Sequence, residues 1–159
     1  MNDTAKLVEH SPLGAELSDE ETRLLAGLMV GRVLDDGDFL IEDGASDDSL
    51  HLVLTGKAEV VKKTGGDDFA SLAVIREGEL AGELSFIDGT PHTVGIRALS
   101  DMHVLSLARE DFESIIDSHP QHVYKLMRVV ARSAHRIVHR MNTVFVVLSN
   151  YIIKHHGRY

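Results

Sequence analysis

Cysteine is absent from this chain of 159 residues. Its absence excludes disulfide bonds, zinc–thiolate sites, iron–sulfur clusters and catalysis by a thiol. The chain also lacks any run of about 18 apolar residues, so no segment is predicted to span a membrane. Residues 1–10 contain no apolar stretch after a positively charged start, which argues against a signal peptide. We therefore expect a cytoplasmic protein.

Acidic residues are absent from the last part of the chain. All 25 Asp and Glu lie within residues 1–117, whereas residues 118–159 contain seven Lys or Arg. The net charge of −9 therefore divides into −16 and +7. The change falls at Ser118-His119-Pro120, a sequence typical of a helix start. The negative net charge of the whole chain argues against a nucleic-acid-binding protein.

Residues 1–117 have the pattern of a small β-domain. The chain is 43% hydrophobic and 26% charged, a balance typical of one globular domain. Residues 1–17 show little periodicity and are predicted to be loose. Ser18 and Glu21 have the spacing of a capping box, at the start of a helix that ends at Gly31. The short apolar runs that follow, separated by Gly or Asp-Gly turns about 8–12 residues apart, predict an antiparallel sandwich, barrel or jelly roll.

A long helix is predicted over residues 119–156. Apolar residues recur from Val123 to Tyr151 in alternating steps of four and three, which is a heptad pattern. One β-domain can cover only the first turns, so we expect the remainder to pair with a second copy across a two-fold axis. The expected seam of this homodimer is Val130, Ala134, Ile137, Met141, Val144 and Leu148. Two alternatives remain: the helix folds back on its own body, or residues 144–148 form a strand.

Basic residues of this helix recur at spacings of three or four and would form one ridge beside the seam. The ridge consists of Lys125, Arg128, Arg132, Arg136 and Arg140. It could face the acidic body of the same or the partner subunit, or it could bind an acidic protein or a nucleic acid. His135 and His139 have a spacing that suits a metal ion, but without a carboxylate or thiol they indicate a solvated face, and no metal site is predicted.

The motif that carries most information is Gly82-Glu83-Leu84-Ser85, followed by Pro91-His92-Thr93. It resembles the phosphate-binding cassette of the cyclic-nucleotide-binding domain, in the form found in the superfamily of the catabolite activator protein and the fumarate–nitrate regulator. The resemblance covers about residues 18–140. It implies an α+β, mainly β fold: an antiparallel β-roll or jelly roll with short flanking helices over 18–118, and a long dimerisation helix over 119–156.

The resemblance also implies a role for each cassette residue. Gly82, Leu84 and Ser85 would supply the backbone that surrounds a phosphate, and Glu83 would accept a hydrogen bond from the ribose. Thr93 would donate its hydroxyl to the phosphate. The helix that begins at Gly82 directs free N–H groups and a positive dipole end at an anion. The ligand implied is a cyclic nucleotide, cAMP or cGMP.

Three features depart from the family pattern. His92 stands where the family has an arginine, and losing one charge-assisted phosphate contact costs about 1.5–3 kcal/mol. Ile137 and Val138 stand where polar residues of the long helix reach the base; they could stack on a base but not read it. A helix-turn-helix domain normally follows the long helix, and we expect none within 159 residues.

Two hypotheses of function follow. In the first, the chain is a regulatory sensor that binds a small anionic ligand and signals through the dimer helix to a partner protein. In the second, it is a degenerate domain of the same fold that binds no nucleotide and acts as a dimeric interaction scaffold. An enzyme is not expected, since no nucleophile and base occur in a catalytic motif. A cupin-like metal enzyme would need a His-x-His and a nearby Glu, which the sequence lacks.

Overall fold

The computed structural model describes residues 3–156. These residues form eight strands and five helices. In chain order they are α1 (Asp3–Glu9), α2 (Asp19–Leu28), β1 (Val30–Leu34), β2 (Phe39–Ile41), β3 (Leu50–Thr55), β4 (Ala58–Gly65), β5 (Asp68–Ile75), β6 (Leu80–Ala81), α3 (Glu83–Asp88), β7 (Gly95–Ala98), β8 (Met102–Leu107), α4 (Arg109–Glu113) and α5 (Pro120–His156).

The strands form two four-stranded antiparallel sheets, and the predicted β-roll is confirmed. One sheet has the order β1-β8-β3-β6 and the other has the order β2-β7-β4-β5. Alternate residues of β3 and β8 point to opposite faces, as the two-residue period of a strand requires. Leu52 and Leu105 therefore pack against the helices, whereas Val53 and Val104 pack between the sheets. The helices thus lie on one side of the roll.

The N-terminal segment is not loose, so that prediction is wrong for residues 3–17. Residues 3–9 form α1, and Ala5, Val8 and Leu13 are fully buried in the same core cluster as Leu25 of α2. A helix of seven residues with two buried side chains offers too few turns for a period to be visible in the sequence. Residues 1 and 2 lie outside the described residues.

The capping box of α2 is present as predicted. The Ser18 hydroxyl accepts from the Glu21 N–H at 3.2 Å, and the Ser18 N–H donates to the Glu21 carboxylate at 2.9 Å. The same carboxylate accepts from Lys125 of α5 at 2.9 Å. These bonds from Ser18 and Lys125 lower the pKa of Glu21. The start of α2 is therefore tied to the long helix.

Helix α5 packs on the roll along its first half and extends beyond it along its second half. Val130 and Ala134 are 0% and 7% exposed within the single chain, so the expectation that they lie in a dimer seam is wrong. The heptad pattern could not separate packing on the chain's own body from packing on a partner. Residues 144–153 are helical rather than extended, and most of their apolar side chains are exposed, Phe145 at 70%. Of the expected seam, Val144 and Leu148 are the residues with exposed side chains, at 39% and 56%.

The basic ridge faces the acidic body of its own chain. Lys125 pairs with Glu21, Arg128 and Arg132 pair with Glu16, and Arg140 pairs with Glu79. Arg136 is exposed. The charge asymmetry of the sequence therefore corresponds to ion pairs that hold α5 against the body.

His122 generates a prediction about acid stability. Its ring is 1% exposed, and neither ring nitrogen has a hydrogen-bond partner among the residues that the structure describes. Burial lowers the pKa of His122 below 6.5; Glu21 opposes this shift, while His119 and Lys125 reinforce it. The unfolded chain therefore binds the proton more tightly, and this group's contribution to stability is lost as pH falls below about 6.5.

We expect His122→Leu to reduce the fall in Tm between about pH 7.5 and 5.5, measured by thermal unfolding in a pH series. His135→Leu, at an exposed histidine of the same helix, is the control. The carboxylates with lowered pKa, such as Glu21, lose their contribution only below about 4.5 and leave this window unaffected. An unchanged pH slope in His122→Leu would contradict the prediction.

Candidate functional site

The turn between β6 and α3 requires glycine at its centre. Gly82 has φ +82°, and a Cβ there would lie 2.7 Å from the Ser49 carbonyl oxygen. The N–H of Phe86 donates to the Gly82 carbonyl at 3.1 Å and closes the first turn of α3. As at any helix start, the N–H groups of residues 83–85 are not used by the helix ladder. The backbone therefore has the geometry that the motif predicts.

A pocket of about 140 Å³ lies between this turn and α5. Residues 82–84 form one wall, residues 92–94 form a second wall, and α5 forms a third. The lining residues are Val60, Ile75, Gly82, Glu83, Leu84, His92, Thr93, Val94, Ile96, Ala134, Ile137, Val138 and Met141. This volume is about ten times what one water needs on the same measure. The pocket can thus hold a small organic molecule.

The structure brings most of the expected ligand-binding residues to this pocket. Gly82, Glu83, Leu84, His92 and Thr93 line it. Ile137 and Val138 line it from α5. Ser85 is the exception, since it is buried and does not line the pocket. Successive side chains of a helix are rotated by about 100°, so Ser85 points away from the direction of Leu84.

Other lining residues were missed as pocket residues. Ile75, Val94 and Ile96 carry no signal beyond that of ordinary core residues. Ala134 and Met141 were expected in the dimer seam, and their apolar spacing gave no indication that they face a pocket.

Glu83 is a buried carboxyl group that contacts α5. It is 6% exposed, and its Oε1 accepts from the Ser133 hydroxyl at 2.6 Å. Burial raises the pKa of Glu83, the Ser133 hydrogen bond opposes this rise, and the charge of Glu79 adds to it. A carboxyl group in this setting is suited to accept a hydrogen bond from a ligand hydroxyl, the role that the motif implies.

His92 is held by the loop that follows β2. Its N–H donates to Ala45 at 2.9 Å, and its carbonyl accepts from Gly44 at 2.7 Å. Its ring Nε2–H donates to the Asp47 carbonyl. This nitrogen is therefore committed to the protein rather than to a phosphate.

A buried group behind the cassette was not recognised in the sequence. His51 is fully buried, with Nδ1 2.7 Å from the Ser106 hydroxyl and Nε2 3.2 Å from the Asp47 carboxylate. Burial raises the pKa of Asp47, but hydrogen bonds from His51 and Ser49 outweigh this and lower it to about 2. None of these residues lines the pocket. The hydrogen bonds among His51, Asp47 and Ser106 hold the loop of residues 42–49 in place, and this loop in turn holds His92.

Three basic side chains around the pocket are paired, whereas Arg136 of α5 is exposed and its charge lowers the pKa of Glu83. Lys62 donates to Asp43 at 3.1 Å and to the Thr93 carbonyl. Arg97 pairs with Glu59 and lies over the rings of Phe39 and Phe69, so it does not replace the missing arginine. Arg140 binds Glu79 through two hydrogen bonds. No Lys or Arg occurs among the lining residues.

Residues 3–156 offer neither a metal site nor a membrane-spanning helix. This part of the chain contains no group of three or more His, Cys, Asp or Glu placed to hold a metal ion. It also contains no helix that is long and apolar enough to cross a membrane.

The raised pKa of Glu83 generates a prediction about stability. Because the folded state holds this proton more tightly, the stabilising contribution is complete below about 4.5 and is lost as pH rises through the folded pKa. Glu83→Gln stays neutral and still accepts from Ser133. We expect it to raise Tm at about pH 7.5 and not at about pH 4, by roughly 2–4 °C if about 1 kcal/mol is recovered. Glu42→Gln, at an exposed site, is the control; equal shifts at both pH values would contradict the prediction.

Known proteins are similar to this chain in sequence and in fold. The chain is 30% identical over 122 residues to the cyclic AMP receptor protein of Thermus thermophilus, covering 77% of this chain and 56% of that protein. The N-terminal domain of a transcriptional regulator from Streptomyces coelicolor matches with 32% identity and a TM-score of 0.69, covering 82% of this chain and 93% of that one. A cyclic nucleotide-binding domain from Methylobacillus flagellatus matches with a TM-score of 0.76 and 23% identity, covering 89% and 80%.

The family match extends from residue 31 to residue 119, over more than half of the chain. It includes all of β1 except its first residue, then β2 to β8, the cassette and α4. With the glycine turn, the buried glutamate and the pocket against α5 in the expected places, the chain belongs to the cyclic nucleotide-binding domain family.

Proposed function

We propose that this chain is a regulatory sensor module that binds a small ligand in the pocket and signals its occupancy through α5 to a partner protein. The observation that carries this proposal is that the cassette and α5 are two walls of one pocket. A ligand between them contacts both. Any change in how α5 packs near Ile137 and Met141 therefore changes the affinity for the ligand. Because such coupling is reciprocal, ligand binding also changes the packing of α5.

The hydrogen bond between Ser133 and Glu83 provides a specific route for this coupling. It joins α5 to the cassette at 2.6 Å. A carboxylate can accept more than one hydrogen bond, so a ligand hydroxyl can donate to Glu83 beside Ser133. The ligand would then join the cassette to α5 through Glu83 and through contacts with Ile137 and Val138. The two states of α5 would differ in whether these contacts are present.

The second half of α5 would carry the signal out of the domain. Val144, Leu148, Tyr151 and Ile152 are exposed on one stripe of the helix, which continues the stripe that packs on the roll. We propose that this part pairs with the same part of a second copy. The basic ridge contributes little to binding an acidic partner in this proposal, because Lys125, Arg128, Arg132 and Arg140 already pair within the chain.

A cyclic nucleotide is the ligand that the family suggests first. The relative from Thermus thermophilus is named a cyclic AMP receptor protein, and a relative from Yarrowia lipolytica is a cAMP-dependent protein kinase regulatory subunit. The chain spans 56% and 27% of their lengths, so their activities reach this chain only as part of the proposal. The cassette geometry supports this ligand, and the absence of a basic residue in the lining opposes it.

The second candidate function is a scaffold that binds no nucleotide. The observation that favours it is the commitment of His92 Nε2 to the Asp47 carbonyl, where the family pattern has an arginine for the phosphate. In this case the exposed half of α5 would be the functional surface.

One substitution separates the two functions. His92→Arg restores a permanent charge beside Thr93, and we expect it to raise the affinity for cAMP about 10- to 100-fold, the value of one charge-assisted contact. Isothermal titration calorimetry with cAMP and cGMP measures this. His103→Arg adds the same charge at an exposed site outside the pocket and should change nothing. If His92→Arg gains no affinity, the pocket is not shaped for a cyclic nucleotide.

The dimer is tested independently of any ligand. Val144→Glu with Leu148→Glu places two charges on the apolar stripe and should convert a dimer into a monomer, as measured by light scattering after size exclusion. Asn142→Glu with Asn150→Glu adds the same charges on the opposite side of the same helix and should leave the dimer intact. A wild-type chain that is monomeric at high micromolar concentration would contradict this part of the proposal.

A further inference from the structure

We propose that the ligand of the cassette pocket is uncharged: a small, mostly apolar molecule that donates a hydroxyl or N–H hydrogen bond to Glu83. This inference rests on the proposed sensor function and names the ligand class of the same site. It differs from the expectation of a small anionic ligand that the motif alone implies. The reasons lie in the charges, the walls and the size of the pocket.

The first reason is the lack of a counter-charge. None of the lining side chains is Lys or Arg. Lys62, Arg97 and Arg140, on elements around the pocket, already pair with carboxylates at 3.1, 2.5 and 2.6 Å. A phosphate would need one of these pairs to break, or it would need Arg136 of α5, which is exposed and does not line the pocket, to turn from solvent toward it. An anion without such a partner loses its hydration and gains no ion pair in return.

The second reason is the charge that the pocket does contain. Glu83 lies in the wall, and burial already disfavours its ionised form. A second negative charge beside it would disfavour ionisation further. An uncharged donor has the opposite effect, because it satisfies the carboxyl oxygen without adding charge.

The third reason is the apolar character of the walls. Nine of the lining side chains are hydrocarbon or thioether. They are Val60, Ile75, Leu84, Val94, Ile96, Ala134, Ile137, Val138 and Met141. The volume of about 140 Å³ is close to that of an engineered apolar cavity of about 150 Å³ that binds benzene. A flat apolar group with one polar edge toward Glu83 therefore suits the space.

Matched pairs of probes that differ in charge test this inference. One pair is adenosine and cAMP, and a smaller pair is indole-3-ethanol and indole-3-acetate. We expect the neutral member of a pair to give a saturable rise in Tm. Calorimetry should show that its anionic partner binds with an affinity at least about tenfold lower. His92→Arg should reverse the preference within the adenosine pair.

Two tryptophan variants test whether the neutral probe binds in the cassette pocket. Val138→Trp fills the mouth of the pocket from a partly exposed position on α5 and should abolish binding of the neutral probe. Val146→Trp adds the same side chain further along the helix, outside the pocket lining, and should leave binding unchanged.

The outcomes separate this inference from the proposed function. If the anionic member of either pair binds the wild-type chain more tightly, the ligand is not uncharged, yet the sensor function stands. If none of the four probes binds at millimolar concentration, both the inference and the sensor function are overturned in favour of the scaffold. Binding that survives Val138→Trp would place the ligand elsewhere and overturn the inference.

Discussion

The packing of α5 across the cassette is the contact on which the rest of the site depends. Glu83 begins the short helix α3, and α5 lies against it. With α5 in place, the carboxyl group is buried, its pKa is raised, and Ser133 is its hydrogen-bond partner. The same packing supplies the wall formed by Ala134, Ile137 and Met141. One helix therefore creates both the pocket and the element that responds to it.

Charge keeps this helix in place at both ends of its contact with the body. Lys125 binds the capping carboxylate of α2, and Arg140 binds Glu79 immediately before the cassette. Exposed ion pairs contribute little individually, but the Arg140 pair is bidentate and partly buried. Because Glu79 and Glu83 flank β6, pairing Arg140 with Glu79 also fixes where α5 meets the buried carboxyl group.

Much of this arrangement could be predicted from the sequence, because it depends on local patterns. The capping box at Ser18, the turn at Gly82 and the succession of short strands along the chain are set by short-range geometry and by hydrophobic period. The motif also predicted which cassette residues line the pocket, apart from Ser85. The long helix was expected from its heptads.

The remainder could not be predicted because it depends on long-range packing. An apolar residue such as Val130 has the same period whether it faces its own body or a second copy. His51 lies in a run of strand residues, and only the fold brings it to Asp47 and Ser106. The hydrogen bond from Ser133 to Glu83 joins residues 50 positions apart. The pairing of the ridge with Glu16, Glu21 and Glu79 was one of the alternatives that the charge pattern left open.

A double-mutant cycle between Glu83 and Ser133 tests most directly whether α5 and the cassette are coupled through this bond. The free energy of unfolding is measured for the wild type, Glu83→Ala, Ser133→Ala and the double variant at about pH 7. The account predicts a coupling energy of about 1 kcal/mol or more, because each single change leaves a buried polar group without its partner. Additive effects, within about 0.3–0.5 kcal/mol, would show that the two residues do not communicate and would contradict the account.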